Sequence, residues 1–142
     1  MADYFNKDAD YYKTVPYDSS ISNKTDALKF SKTDLNIFTN YEEAYHQLMF
    51  DIIEQQIRST TLVLQGTQVK KIFVDGGFGK NPVYMNLLAK AFPAIKVYAA
   101  AMPQASAIGA ALAIHKHWNK NQLPSNIIEL KQYANTEMNY SQ

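Results

Sequence analysis

The sequence predicts an α/β fold, and three observations carry that prediction. From residue 39 onward, apolar residues recur first at helical spacing and then in short β-branched runs. Two such runs, "VKKIFVD" (69–75) and "IKVYAAA" (95–101), are each followed by a helix-like segment, which is the alternation of parallel-sheet proteins. The only glycine-rich stretch, "DGGFGK" (75–80), sits where the first run gives way to the following helix.

The elements follow in order. Thr39, with Glu42 three residues later, forms a capping box ahead of Tyr45, Leu48, Met49, Ile52, Ile53, Ile57 and Leu64, so a long helix is expected over residues 40–64. Gly66 is placed to end it in the left-handed conformation that glycine adopts cheaply. Residues 69–75 read as a buried strand and "GGFGK" as a turn. Asn81 is a favoured N-cap and Pro82 a favoured first helical residue, so "NPVYMNLLAKAF" opens a second helix. Residues 95–101 form the second strand, and Pro103 opens a third, buried helix that ends near Trp118. One short apolar piece remains at 127–130, before a polar end. The two strands should pair in parallel through the middle helix.

A two-stranded sheet leaves both edges unpaired, and the start of the chain offers only weak extra strands, "ALKF" (27–30) and "LNIF" (35–38). Residues 1–38 are polar and without period, yet carry Tyr4, Phe5, Tyr11, Tyr12, Tyr17, Phe30 and Phe38. Disordered segments are poor in aromatics, so these rings are expected to pack, and a partner surface outside the chain is the expected receiver. The chain reads as part of a larger fold, divided into an irregular aromatic segment (1–38) and an α/β part (39–142).

Composition narrows the function classes. The 142 residues carry a net charge of +1 and no basic run, which gives nucleic-acid binding no support. There is no cysteine, hence no disulfide and no thiolate-ligated zinc. Met1 leads into "ADYFNKDADYY", which is unlike a signal peptide, and a cytoplasmic location is expected. The most apolar stretch, residues 97–114, is broken by Pro103 and runs into His-Lys-His, so no membrane span is expected.

Two phosphate-loop patterns fail on the glycine segment. G-x-G-x-x-G starting at Gly77 would put its third glycine at Pro82, and a P-loop would need glycine at Val74 and serine or threonine at Asn81. What remains is a strand, Asp75, the pair Gly76-Gly77, a short turn and Asn81 at a helix N-terminus. In that geometry bare backbone can lie beneath a ligand, next to the N–H groups of a helix end.

"IFVDGGFGKNPVYMNLLA", preceded by "YHQLMFDIIEQQIRST" and followed by "QASAIGAALAIH", resembles the C-terminal half of the FGGY carbohydrate kinases, closest to the branch of rhamnulose and fuculose kinases. The resemblance implies a partial ribonuclease H-like (actin-like ATPase) domain of the sugar kinase, actin and heat-shock-chaperone superfamily. It implies that Gly76 and Gly77 lie against the nucleoside of ATP or ADP, that Asn81 reaches the adenine or ribose, and that residues 105–111 form a small-residue helix near the hinge. Magnesium would be bound through the nucleotide, so no metal ligand is assigned. No role is carried to Gln104, where many relatives have an acidic residue. The family's catalytic aspartate, first phosphate loop and sugar pocket belong to an N-terminal half not visible here. No catalytic residue is therefore assigned, the sugar or polyol would be met only through that half, and the isolated chain is expected to have little or no kinase activity.

Other residues have plainer readings. Asp75 is expected to accept hydrogen bonds from the turn rather than act as a base. Lys80 is either a phosphate contact or a solvated lysine. His115 and His117 lie on different sides of a helix and suit its C-terminal dipole, and His46 is a packed or surface residue. Two rival functions stay open: a non-catalytic interaction module or self-associating remnant, with a homodimer among its forms, and an actin- or chaperone-like ATPase.

Overall fold

The computed structural model describes residues 1–24, 29–100, 105–122 and 130–134. The expectations for Pro103, Gln104 and Ile127 lie outside the described residues, as does half of "ALKF".

Helix α1 runs Tyr41–Leu64. Its N-cap is Asn40, one residue later than the expected cap, and the Asn40 side chain accepts the Glu43 N–H at 2.9 Å. Glu43 reaches back to the N–H of Thr39, the residue before the cap, at 2.9 Å, so a reciprocal cap forms one residue off the expected Thr39–Glu42 box and with Glu43 as its acidic member. Gly66 follows with φ of +75°, in the left-handed region expected of it. Strand β1 (Lys71–Val74) leads into a 3-10 turn at Phe78–Lys80, and helix α2 (Pro82–Ala91) begins on the Asn81 cap with proline in its first turn. Strand β2 (Lys96–Ala100) and helix α3 (Ala105–Trp118) follow, then strand β3 (Leu130–Tyr133).

The sheet order is β1-β2-β3. β1 and β2 pair in parallel, Val74 opposite Ala99, as the helical crossover requires. β3 adds an antiparallel partner on the other edge of β2, with Val97 opposite Tyr133. The sheet is thus one strand wider than the sequence suggested, and "LNIF" is a 3-10 turn at Leu35–Ile37 rather than a strand.

The core lies where α1 crosses α2 over one face of the sheet. Tyr41, Tyr45, Met49 and Ile53, at i+4 spacing on α1, join Val83, Tyr84, Met85, Leu87 and Leu88 of α2 with Val97 and Ala99 of β2. Two expectations of burial fail. β1 is an edge strand, with Phe73 54% exposed and stacked on Tyr98 across the ladder on the face that α2 leaves open. α3 is apolar, yet Ile114 is 57% and Trp118 63% exposed, because nothing among the described residues covers it.

The aromatic N-terminal segment also corrects its expectation, because its rings pack within the chain. It forms a strap over α1, and its described residues hold no helix or strand beyond short 3-10 turns. Phe5 and Tyr11 meet Tyr41 edge-on, at centroid distances of 6.1 and 5.1 Å. Tyr17 stacks on His46 and Phe30 on Phe38. Irregular backbone needs hydrogen-bond partners, and polar side chains of α1 supply them. His46 Nε2 accepts the Asp18 N–H at 3.1 Å, Gln47 Oε1 accepts the Lys24 N–H at 2.9 Å, and Asp51 accepts the Phe30 N–H. The Gln47 amide donates to Asn23, and the Tyr11 hydroxyl donates to Glu42. His46 and Gln47 are buried, which their hydrogen bonds make tolerable.

Candidate functional site

The three glycines of the turn answer three different demands. Gly76 has φ of +76°, a conformation costly for any residue with a Cβ. The Asp75 carboxylate accepts the Gly76 N–H at 2.7 Å, the turn-stabilising role expected of it. Gly79 is buried, and a Cβ there would lie 2.8 Å from the Val74 carbonyl oxygen. Gly77 has ordinary right-handed angles, φ −60° and ψ −39°, and a Cβ on it would meet nothing within 4 Å. A Cβ on Gly76 would also meet nothing within 4 Å, so Gly77 is the turn glycine that combines open space with backbone angles any residue can adopt.

That space belongs to a cleft of about 410 Å³ lined by Tyr12, Lys13, Gly77, Lys80, Asn81 and Pro82. Of the three residues singled out in the sequence, Gly77 and Asn81 line it, while Gly76 shapes the turn behind it. Asn81 is engaged inside the chain at both ends of its amide. Its Oδ1 accepts the Tyr84 N–H at 3.1 Å, and its Nδ2 donates to the Tyr45 hydroxyl at 2.7 Å, with Met49 Sδ at 3.7 Å. Burial pushes the Tyr45 phenol above its ordinary 10.0, against the opposing effect of the Asn81 hydrogen bond.

The strap also contributes to the lining, through Tyr12 and Lys13. Tyr12 is 40% exposed, its centroid 6.4 Å from that of Tyr45 with the planes 33° apart. Lys13 pairs with Asp10 at 2.7 Å, and that hydrogen bond holds its ammonium above the usual lysine value. Lys80 is exposed at the rim. Sequence reasoning missed Tyr12 and Lys13 because it sent the aromatics of residues 1–38 to an outside partner. The usable signal was on α1, where Glu42-His46 and Glu43-Gln47-Asp51 are polar rows at i+4 spacing in the otherwise apolar first half of the helix, residues 41–53.

Concavity, an apolar floor and two lysines suit a flat ring system with an anionic tail, and the volume is within the roughly 300–1,000 Å³ of small-molecule sites. Among the described residues no three His, Cys, Asp or Glu side chains group as a metal site. His115 Nε2 lies 2.9 Å from the Asn121 carbonyl oxygen at the end of α3, away from the cleft. A second cleft, about 320 Å³, opens at the far end of α2 between Ala94, Lys96 and Gln132, and holds none of the residues singled out in the sequence. Among the described residues no helix is long and apolar enough to cross a membrane.

No curated protein and no solved structure shows significant similarity to the chain. The family model described as "FGGY family of carbohydrate kinases, C-terminal domain" matches residues 29–115, from the end of the strap through the glycine turn and α2 into α3. This match covers more than half of the sequence, and the chain belongs to the FGGY family of carbohydrate kinases.

Proposed function

We propose that this chain is the adenosine-binding portion of an ATP-dependent carbohydrate kinase, in which the γ-phosphoryl group of ATP passes to a sugar or polyol hydroxyl. The observation that carries the reading is Gly77, bare of a side chain, facing an open cleft within the family-matched segment. Nucleotide would lie over the Gly77 turn with magnesium on its phosphates, and Lys80 stands where it can meet the anionic end. Asn81 would act through the Tyr84 cap and Tyr45 instead of reaching the base directly. The three strands would form part of a ribonuclease H-like sheet in a cytoplasmic enzyme. The rhamnulose and fuculose kinase branch is the proposed relationship, on the resemblance to it of "IFVDGGFGKNPVYMNLLA" with its flanking segments "YHQLMFDIIEQQIRST" and "QASAIGAALAIH". Sugar and catalytic base would come from an N-terminal half, so the chain by itself would not turn over ATP with a sugar.

Calorimetric titration with magnesium-ADP tests the reading. Wild-type chain should bind, and Gly77→Val should lose binding while melting normally, because valine fits the local angles but fills the cleft. A folded wild-type chain with no affinity would overturn it.

A second reading, a non-catalytic module that docks or self-associates, is favoured by the uncovered apolar surface of α3 and the edge residue Phe73. It expects a dimer in size-exclusion chromatography and indifference to ADP.

A further inference from the structure

We propose that Tyr12 is the base-stacking platform of the nucleoside cleft, contributed by the N-terminal strap to a site otherwise built from the family-matched segment. The inference rests on the nucleotide reading above and goes beyond it, since residue 12 lies outside the matched range of 29–115.

Three observations converge. The first is position: Tyr12 lines the same cleft as Gly77 and Pro82, so a planar group entering there shares its lining with both an aromatic ring and bare backbone. The second is rigidity. Tyr12 sits in the 3-10 turn Tyr11–Thr14, and the residues around it are anchored. The Tyr11 hydroxyl donates to Glu42, Thr14 Oγ1 donates to the Tyr11 carbonyl at 2.8 Å, Val15 is 2% exposed, and the Asp18 N–H is held by His46. Its neighbours Tyr11 and Val15 turn inward while Tyr12 keeps 40% of its surface open. A preorganised ring of this kind lowers the ordering cost of binding.

The third is support from behind. Tyr12 leans on Tyr45, whose hydroxyl accepts from Asn81. Asn81 thus becomes a positioning residue, tying the helix cap to the ring that would meet the base. Lys80 lines the cleft, so a base stacked on Tyr12 would have a cation within the same lining for its phosphates, while Lys13, paired with Asp10 at 2.7 Å, holds its ammonium 5.7 Å from the Tyr12 ring centroid. The chemical class that fits is a purine nucleoside phosphate: a flat π-face for the ring and negative charge for Lys80.

The test uses the full chain, titrated separately with adenosine and magnesium-ADP, for wild type, Tyr12→Phe, Tyr12→Leu and Gly77→Val. Tyr12→Phe should keep wild-type affinity and Tyr12→Leu should weaken adenosine about tenfold, the scale of one lost base–aromatic stack. If Tyr12→Leu binds like wild type while Gly77→Val does not bind, Tyr12 is no platform and the kinase reading survives alone. Tighter binding by Tyr12→Leu would show that the ring obstructs the cleft, and would also overturn the proposal. If wild type binds neither compound, both readings fall. Should Tyr12→Leu melt early, the Tyr12 ring-proton shifts of the wild-type chain decide the matter: an upfield shift on adding adenosine supports stacking, and unmoved resonances refute it.

Discussion

Replacing Gly79 by alanine adds one methyl group, and the structure dictates where it must go. The new Cβ would stand 2.8 Å from the Val74 carbonyl oxygen and 3.5 Å from its carbon, with the Ala100 carbonyl oxygen at 3.9 Å. Both carbonyls end strands that pair in parallel, so neither can retreat without disturbing the ladder between β1 and β2. Overpacking against rigid backbone costs about 1–3 kcal/mol. Alanine also restricts the unfolded chain, which returns about 0.4–1 kcal/mol to stability wherever the native backbone accepts it.

Gly77→Ala isolates that second effect. It adds the same methyl two residues earlier, at φ −60° and with nothing within 4 Å. Gly77→Ala should therefore melt at or slightly above wild type and Gly79→Ala below it. The gap between the two variants should be about 2 kcal/mol, or roughly 6 °C in a chain of this length. Thermal melts followed by circular dichroism read this directly. Equal melting temperatures for the two alanine variants would refute the assignment of Gly79 to close packing and of Gly77 to open space.

Four further outcomes are expected. Tyr45→Phe removes the acceptor of the Asn81 amide and should cost about 1 kcal/mol in urea unfolding with an unchanged denaturant slope. His46→Leu leaves the Asp18 N–H without its acceptor, so hydrogen exchange should speed at Asp18 while α2 amides keep their protection. Acid should weaken the fold. The Tyr11 hydroxyl holds Glu42 below its ordinary 4.5, and the Lys24 ammonium with the Thr39 N–H does the same for Glu43, so their contribution is complete above pH 4.5 and is lost as pH falls through the lowered folded values. Alkali should weaken it too: burial raises the phenols of Tyr41, Tyr45 and Tyr84, and stability that is complete below pH 10.0 is lost as pH climbs through the raised values, as pH-dependent melts would show.

Much of the fold was legible because it rests on local signals. Asn81-Pro82 wrote the start of α2, Gly66 the end of α1, and the two β-branched runs the parallel pair. β3 escaped because "LKQY" alternates weakly and owes its strand form to β2 beside it. The burial of β1 and α3 was misjudged because apolar composition reports what a segment would bury, not whether this chain supplies the cover. Within the site, Gly77 and Asn81 were visible as a motif. Tyr12 was not, since its place depends on a strap whose path is set by side chains of α1 28 to 31 positions away in the sequence.

That strap and α1 solve one another's difficulty. A helix that buries a histidine and a glutamine beside tyrosine rings carries a desolvation cost unless each polar atom is bonded, and an irregular segment laid on a helix carries the same cost for its N–H groups. Here His46 Nε2 faces Asp18, while Gln47 bonds both Lys24 and Asn23, so a single set of hydrogen bonds meets both needs. The arrangement also links the polar row of α1 to the cleft, because the strap it holds is the element that carries Tyr12. If a nucleoside stacks on Tyr12, its binding free energy must add to the closed state of the strap by mass action. Saturating adenosine should then slow hydrogen exchange at the Asp18 amide in the wild-type chain and lose that effect in Tyr12→Leu. Unchanged protection at Asp18 under saturation would separate the strap from the ligand and confine the site to the glycine turn.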